Sequence, residues 1–220
     1  MSNNLVDLTG YLEIGSVEAS ADAARSELSL SGWIHTNPSA MGGRHPFLAE
    51  GRHAELILDQ ARKNSRLQNS DAGLETNGVL ARGKLNTFPG RCYLEVKHMS
   101  FFDTSNPLPG AQLFTANHVR MQGYLILPHV KPGVIRQRTG QDGGLAAWFL
   151  TEPAASGGRH NIFLSGALAE LADAHGKRTG AAVFQAVLGG NLVSSALSSF
   201  IHARYLSLNG TGYLEGEDAE

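Results

Sequence analysis

Apolar and polar residues alternate along most of this chain, which predicts β-strands with one helix in each half. In the first half, strands are predicted at 6–14, 27–35, 44–52, 78–86 and 91–102. In the second half, they are predicted at 119–127, 145–151, 160–166, 181–191 and 200–208. Leu and Ala positions between the third and fourth strands favour a helix, at 54–67 in the first half and at 168–175 in the second. The two halves are therefore predicted to share one order of elements.

One segment occurs twice in the chain. Trp33–His45 and Trp148–His160 start 115 positions apart and are identical at eight of thirteen residues, including a final Gly-Gly-Arg-His. Shorter matches extend the correspondence on both sides, among them Gly83–Leu85 with Gly190–Leu192. The offset changes only between such blocks, where loops would absorb insertions. We infer an internal duplication.

The length of the repeat predicts the domain organisation. About 100 residues suit a small domain with its own core and are too many for a solenoid repeat. We predict domains at 5–104 and 117–210, a linker at 105–116 and an acidic C-terminal tail at 211–220. Five strands with a helix between the third and fourth is the order of the OB-fold, a Greek-key barrel. The predicted fold class is mainly β with two tandem OB-fold domains, although another small barrel or a split sheet would give a similar alternation.

Charge is distributed unevenly between the halves. The formal net charge is -2, which argues against a generally basic nucleic-acid-binding protein. Through residue 111 there are ten Lys and Arg against twelve Asp and Glu, whereas residues 112–210 hold eight against four. Four acidic residues follow in the tail. The body of the second half is therefore basic, which directs the search for a nucleic-acid site to that half.

Other classes of protein find little support in the sequence. Motifs of serine hydrolases, phosphate-binding loops and zinc proteases are absent, so we expect neither an enzyme nor a cofactor. Nine histidines lack cysteine partners or helical pairing, so we expect no metal site. Cys92 has no partner for an intramolecular disulfide and is expected to be buried. Without a long apolar run or a signal-peptide pattern, a cytoplasmic protein is expected.

Two segments resemble bacterial single-stranded-DNA-binding proteins. Residues 159–172, RHNIFLSGALAELA, are similar to the third strand and helix of that family, and a basic turn follows at 176–180. Residues 79–87 resemble its fourth strand. The resemblance implies an OB-fold protein that binds single-stranded DNA, or RNA, in replication, recombination or conjugation. Because members of the family group four OB-folds, it also implies a homodimer.

The family's stacking aromatic residues are replaced here. Arg44 and Arg159 stand where it has an aromatic residue at the start of the third strand, and Glu50 and Ser165 where it has one before the helix. Arginine can still stack on a base and attract a phosphate, so the first loss is partial. Only 7% of the residues are aromatic, which leaves few replacements.

The candidate nucleic-acid-binding residues are the two tryptophans, one loop phenylalanine and the cations of strands, turns and loops: Trp33, Arg44, Lys84, Phe88, Arg91, Lys131, Arg136, Arg138, Trp148, Arg159, Lys177, Arg178 and Arg204. Each tryptophan could instead fill a barrel core, which is the commoner role. The two Gly-Gly-Arg-His segments could bind an anion, or could be turns that need glycine. The basic loop at 131–138 could simply be solvated.

Three hypotheses follow. The first is a single-stranded-nucleic-acid-binding protein with weak sequence preference. The second is an OB-fold module that has lost its groove and assembles with itself or with a replication, recombination or conjugation complex. Glu50, Ser165, the low aromatic content and the acidic first half favour it. The third is a barrel that binds a sugar or another small ligand, for which no specific residue set is present.

Overall fold

The computed structural model describes residues 4–19, 28–36, 43–65, 78–88, 91–102, 117–128, 144–151, 158–194, 199–209 and 211–215. The first half contains β1 Asn4–Ala19, β2 Leu28–His35, β3 Arg44–Glu50, α1 Arg52–Ser65, β4 Gly78–Phe88 and β5 Arg91–Phe102. The second half contains β6 Asn117–Ile126, β7 Leu145–Leu150, β8 Arg159–Leu164, α2 Gly166–Thr179, β9 Val183–Ser194, β10 Ser199–Leu208 and β11 Thr211–Glu215. Every predicted strand and helix is present, with bounds that differ by a few residues.

Each half forms a closed five-stranded barrel. In the first half the order is β1-β2-β3-β5-β4, and β4 pairs with β1 to close the ring. In the second half the order is β6-β7-β8-β10-β9, and β9 pairs with β6. The third and fifth strands of each barrel run parallel. This is the strand order of the OB-fold, so the predicted fold class is confirmed.

The two barrels also have the same strand register. Val6 pairs with Gly83 in the first barrel, and Val119 pairs with Gly190 in the second. The parallel ladders align Phe47 with Leu94 and Ile162 with Ile201. These pairs are the ones that the sequence correspondence predicts, so a position in one barrel can be compared with its counterpart in the other.

The cores are built from alternate strand residues. Ile34 in β2 and Phe149 in β7 are completely buried. Because neighbouring strand residues point to opposite faces, Trp33 and Trp148 lie on the outer face, where both are half-buried. The alternative in which the tryptophans fill the barrel cores is therefore wrong.

Both helices begin next to or at a glycine with a left-handed backbone conformation, and α2 also ends at one. Gly51 and Gly166 occupy equivalent positions between strand and helix, with φ of 55° and 51°. Helix α2 ends at Gly180, whose φ is 66° and whose N–H donates to the Gly176 carbonyl over 2.9 Å. The helix predicted to end at 175 therefore continues through Gly176, because one glycine inside a helix costs only about 1 kcal/mol.

One strand was not expected from the sequence. Residues 211–215 form β11, which pairs with β10 and aligns Glu215 with Tyr205. Asn209, with φ of 51°, makes the turn before it, a conformation that asparagine tolerates better than most residues. The first half of the predicted acidic tail is thus part of the sheet, and residues 216–220 lie outside the described residues.

The chain separates into two compact units. One consists of Val6–Leu85 and Tyr93–Asn117. The other includes Asn86–Cys92 and His118–Glu220, so the end of the β4–β5 hairpin belongs with the second barrel. The predicted linker lies outside the described residues, and the predicted domain boundaries stay a prediction. Neither helix in the described part of the chain is long and apolar enough to cross a membrane.

Candidate nucleic-acid interface

Aromatic side chains cover the outer face of β7, β8 and β10 in the second barrel. Phe163 packs edge-on against Phe200, with ring centroids 6.4 Å apart, and lies 5.7 Å from the ring of His202. Trp148 is on the neighbouring strand, opposite Asn161. We call Trp148, Arg159, Phe163, Phe200 and His202 the second-barrel face. It presents four flat side chains within three adjacent strands.

The strand pattern explains why these residues point outward. His160, Ile162 and Leu164 in β8 are buried, which places Phe163 on the opposite side. Gly144 makes room for its ring, because a Cβ at that position would overlap the end of Phe163. The Ser165 hydroxyl lies 3.2 Å from Nε2 of His202 and helps to fix that imidazole.

A cation covers the tryptophan of the second-barrel face. The Arg159 guanidinium lies 4.1 Å from the centroid of the Trp148 ring, within the range of a cation–π interaction. Trp148 is flanked on β6 by Ile126, and Arg159 is flanked on β7 by Leu150. Among the described residues no ion pair involves Arg159. Its charge is therefore exposed beside the Trp148 ring.

The first barrel has the same arginine–tryptophan pair but different neighbours. Arg44 lies 4.1 Å from the Trp33 ring centroid, as in the second barrel. Glu13 of β1, however, is directly opposite Trp33. Its Oε1 accepts a hydrogen bond from Arg44 Nη2 over 2.9 Å, and its Oε2 lies 2.5 Å from His35 Nε2. We call Glu13, Trp33, His35 and Arg44 the Glu13 cluster.

The Glu13 cluster keeps its carboxylate ionised. Partial burial acts to raise the pKa of Glu13, but the His35 hydrogen bond and the charge and hydrogen bond of Arg44 outweigh it, so the pKa lies below its usual value. At neutral pH the Arg44 charge is therefore compensated within the cluster. Arg159 has no such partner at the equivalent position, which is occupied by Ile126.

The histidine of each Gly-Gly-Arg-His segment is buried inside its compact unit. His45 Nε2 lies 2.9 Å from the Thr36 hydroxyl, and His160 Nε2 lies 3.1 Å from the Thr151 hydroxyl. The other ring nitrogen of His160 lies 2.8 Å from the hydroxyl of Thr87. Burial lowers the pKa of both histidines to about 4, so both rings are neutral at physiological pH.

The second glycine of the first-half segment, Gly43, is also required by packing. The Thr36 N–H donates to the Gly43 carbonyl over 2.7 Å, and a Cβ on Gly43 would overlap the Thr36 carbonyl oxygen. The second barrel repeats the bond between Thr151 and Gly158 at 2.8 Å. These contacts favour the structural interpretation of the segment, in which glycine lets two strands approach closely.

The remaining candidate cations are scattered. Lys84 is exposed on the outer face of β4, and Arg204 is half-buried at a bulge in β10. Lys177 pairs with Asp173 over 2.5 Å, and Arg178 lies 3.1 Å from His175. Both follow Ser165 by at least twelve residues, about 18 Å along the helix at 1.5 Å per residue, so they lie at the end of α2 far from His202.

Five candidates cannot be placed. Phe88 and Arg91 belong to the described strands β4 and β5, but their side chains lie outside the described part of the structure. Lys131, Arg136 and Arg138 fall in a segment outside the described residues. Cys92, by contrast, is buried as expected, with its sulfur 3.4 Å from the Thr87 hydroxyl, and burial raises the pKa of its thiol.

Five residues of these faces were not predicted from the sequence: Phe163, Phe200, His202, Glu13 and His35. Residues 159–164 and 199–203 include runs of apolar and aromatic side chains in which alternation is hard to read. If His160 had been recognised as buried, the alternation of strand residues would have placed Phe163 on the outer face of β8. Glu13 could be recognised only from the register of β1 against β2.

Comparison with solved structures supports the fold. The crystal structure of the wild-type single-stranded-DNA-binding protein of Thermus aquaticus is similar to this chain, with a TM-score of 0.57 and 14% identity over 98% of this chain and 97% of that one. A deletion variant of the same protein, which also carries an arginine-to-alanine substitution, matches with a TM-score of 0.56 and 15% identity over 100% and 98% of the two chains. No family model and no curated protein matches the sequence. The chain is thus similar in fold to that protein over nearly the full length of both chains.

Proposed function

We propose that this protein binds single-stranded nucleic acid, with DNA as the principal ligand, through the second-barrel face. The observation that carries the proposal is the aromatic array on β7, β8 and β10 with the Arg159 guanidinium 4.1 Å above the Trp148 ring. The likeness in fold to a single-stranded-DNA-binding protein over nearly the full length of both chains supports it. The face lies on strands that OB-folds commonly use for oligonucleotides.

The face presents the kind of side chains on which bases stack. Proteins that bind single strands without sequence preference stack bases on aromatic rings, at about 1–3 kcal/mol per base. Trp148, Phe163, Phe200 and His202 offer such rings, and stacking does not distinguish one base from another. A weak sequence preference is therefore expected.

Charge on the face is arranged for a phosphate backbone. Arg159 is exposed at the edge of the aromatic array, and its planar guanidinium can bind a phosphate while it covers Trp148. Each cation that neutralises a phosphate makes binding weaker as salt increases.

A titration of labelled oligo-dT with the full chain tests the proposal. We expect an anisotropy increase at about 50 mM salt that weakens at about 200 mM salt. Trp148→Ala should lower the affinity by about 5- to 150-fold, which corresponds to one lost stacking contact of about 1–3 kcal/mol. Trp33→Ala is the matched control and should change the affinity less than about twofold.

The same titration separates the rival functions. No anisotropy change with micromolar protein at low salt would contradict the proposal and favour the assembly module. Competition by unlabelled oligo-dT and oligo-U distinguishes DNA from RNA, and we expect oligo-dT to compete more effectively.

We further propose a homodimer that brings four barrels together and acts in DNA replication, recombination or conjugation. These finer features follow from the resemblance to single-stranded-DNA-binding proteins. Light scattering should give about twice the chain mass of 23.4 kDa. A monomeric mass across micromolar concentrations would contradict the dimer without affecting the binding proposal.

A further inference from the structure

We infer that Glu13 is a specificity-determining residue that occupies a latent single-strand site on the first barrel and keeps nucleic acid away from it. This inference rests on the proposed function, because it concerns the counterpart of the second-barrel face. The molecule would then have a second site for nucleic acid, which Glu13 keeps closed.

The geometry of Glu13 matches that of a bound anion. One carboxylate oxygen accepts from the Arg44 guanidinium at 2.9 Å, and the other lies 2.5 Å from the His35 imidazole. A phosphate would use its oxygens on the same two groups, since a guanidinium recognises carboxylate and phosphate with similar geometry. Glu13 thus takes the place that a phosphate would need.

Glu13 is held at this place by the backbone around it. It pairs directly with Trp33 in the β1–β2 ladder, and a register shift follows between Ile14 and Ser16. At that shift, a Cβ on Gly15 would lie 2.7 Å from Cζ3 of Trp33, so the indole packs against the bare backbone. The carboxylate, the indole and the guanidinium are therefore fixed together.

The second barrel shows the same site without the anion. Ile126 stands opposite Trp148 where Glu13 stands opposite Trp33, and Leu150 stands opposite Arg159 where His35 stands opposite Arg44. The arginine still covers its tryptophan at the same 4.1 Å. The arginine–tryptophan pair therefore does not need the carboxylate to form.

Two effects of Glu13 oppose nucleic acid. A phosphate that approaches Arg44 meets the negative charge of a carboxylate whose side chain is only 27% exposed and is therefore weakly screened. To displace Glu13, the strand must also break its bonds to Arg44 and His35. Removal of the carboxylate eliminates both barriers and leaves two cationic or polar groups beside Trp33.

The experiment uses the full chain with the second-barrel face disabled by Trp148→Ala and Arg159→Ala. In this background we expect weak binding of labelled oligo-dT at about 50 mM salt. Adding Glu13→Ile, which copies Ile126, should increase the affinity at least about tenfold, as expected for one charge-assisted phosphate contact. Glu13→Gln keeps the shape of the side chain and should increase the affinity in the same direction.

Two controls make the result specific. Glu18→Gln removes one negative charge from the exposed end of the same strand and should leave the affinity nearly unchanged. Adding Arg44→Ala to the Glu13→Ile variant should abolish the gain.

In the wild-type chain, the reciprocal change Ile126→Glu should weaken binding by the second-barrel face about tenfold.

The outcomes separate this inference from the proposed function. If the wild-type chain binds oligo-dT but neither Glu13 variant gains affinity while circular dichroism shows intact barrels, the inference is overturned and the function stands. If the wild-type chain does not bind but the Glu13 variants do, the second-barrel proposal fails and the latent site is supported. A gain that persists with Arg44→Ala would also overturn the inference, because it would not involve this site.

Discussion

The two barrels agree on the inside and differ on the outside. Both have the same strand order and register, a left-handed glycine before the helix, and a buried histidine bonded to a threonine hydroxyl. On the outer face, the first barrel places Glu13 beside its arginine–tryptophan pair, whereas the second places Ile126 there. The second barrel also has Phe163 at the position that Leu48 occupies in the first. The interior is constrained by packing in both copies, so the two barrels differ mainly in the side chains of their outer faces.

Within the segment shared by both halves, the tryptophan and the arginine lie on the outer face, whereas the glycine and the histidine serve the fold. Gly-Gly-Arg-His contributes a close strand contact and a buried imidazole, and only its arginine reaches the outer face. The arginine has the same position over a tryptophan in both barrels. The residues that distinguish the two faces stand at equivalent positions outside Gly-Gly-Arg-His, where Glu13 corresponds to Ile126 and Leu48 to Phe163.

The largest predicted effect tests the likeness of the interiors. His45 and His160 have a pKa of about 4 in the folded chain, below the usual value of 6.5 that the unfolded chain restores. The unfolded state therefore binds more protons between these values, and stability falls as pH decreases from about 6.5 to about 4. Each histidine contributes on the order of 3 kcal/mol to this loss.

Urea unfolding of the full chain from pH 7 to pH 4 measures this loss. His45→Leu and His160→Leu should each remove about half of the pH dependence, while lowering stability at pH 7 by about 1–3 kcal/mol because a threonine hydroxyl loses its partner. Equal slopes for the variants and the wild type would show that other groups govern the acid response.

The next effect tests the difference between the faces. Phe163→Ala should reduce the affinity for oligo-dT by about 1–3 kcal/mol, because one stacking ring is lost. Its counterpart in the first barrel is Leu48, so Leu48→Ala is the matched change. Fluorescence anisotropy should show nearly wild-type affinity for the Leu48 variant, and similar losses for both variants would contradict the assignment to one face.

A smaller effect distinguishes the two arginines. Arg159→Ala should lower the slope of log affinity against log salt by about 1, since one phosphate contact is lost. Arg44→Ala should leave the slope unchanged, because Arg44 is paired with Glu13. The measurement is the salt dependence of the oligo-dT titration, and a change in slope for Arg44 alone would reverse the comparison.

The smallest effect concerns the helix. Lys177 pairs with Asp173 at the end of α2 far from His202, so Lys177→Ala should change the affinity less than about twofold. A loss as large as that of Arg159→Ala would extend the site along α2 and bring back one of the candidates that the sequence indicated.

Much of the fold could be predicted from the sequence because it depends on repeated local patterns. Alternation located all five strands of each barrel, and the duplication predicted that the registers agree. The end of α2 could not be located from the sequence, because Gly176 resembles a helix stop signal. The strand β11 could not be predicted either, because its segment lies among acidic residues and its pairing with β10 is a tertiary feature.

The site was predictable only in part. Arg44, Arg159 and the two tryptophans were identified, but their spacing could not show that each arginine covers a tryptophan. That contact depends on the pairing of His35 with Arg44 and of Leu150 with Arg159. Phe163 and Glu13 depend even more on tertiary structure, since their importance comes from neighbours on other strands.

The chain contains two tryptophans, one on each face, and this allows the most direct test of the central claim. Trp33→Phe leaves Trp148 as the only indole, and Trp148→Phe leaves Trp33. Titration of each variant with unlabelled oligo-dT at low salt should quench the fluorescence of Trp148 as bases stack on it, and should leave the fluorescence of Trp33 unchanged. Quenching of Trp33 with no change at Trp148 would contradict the account.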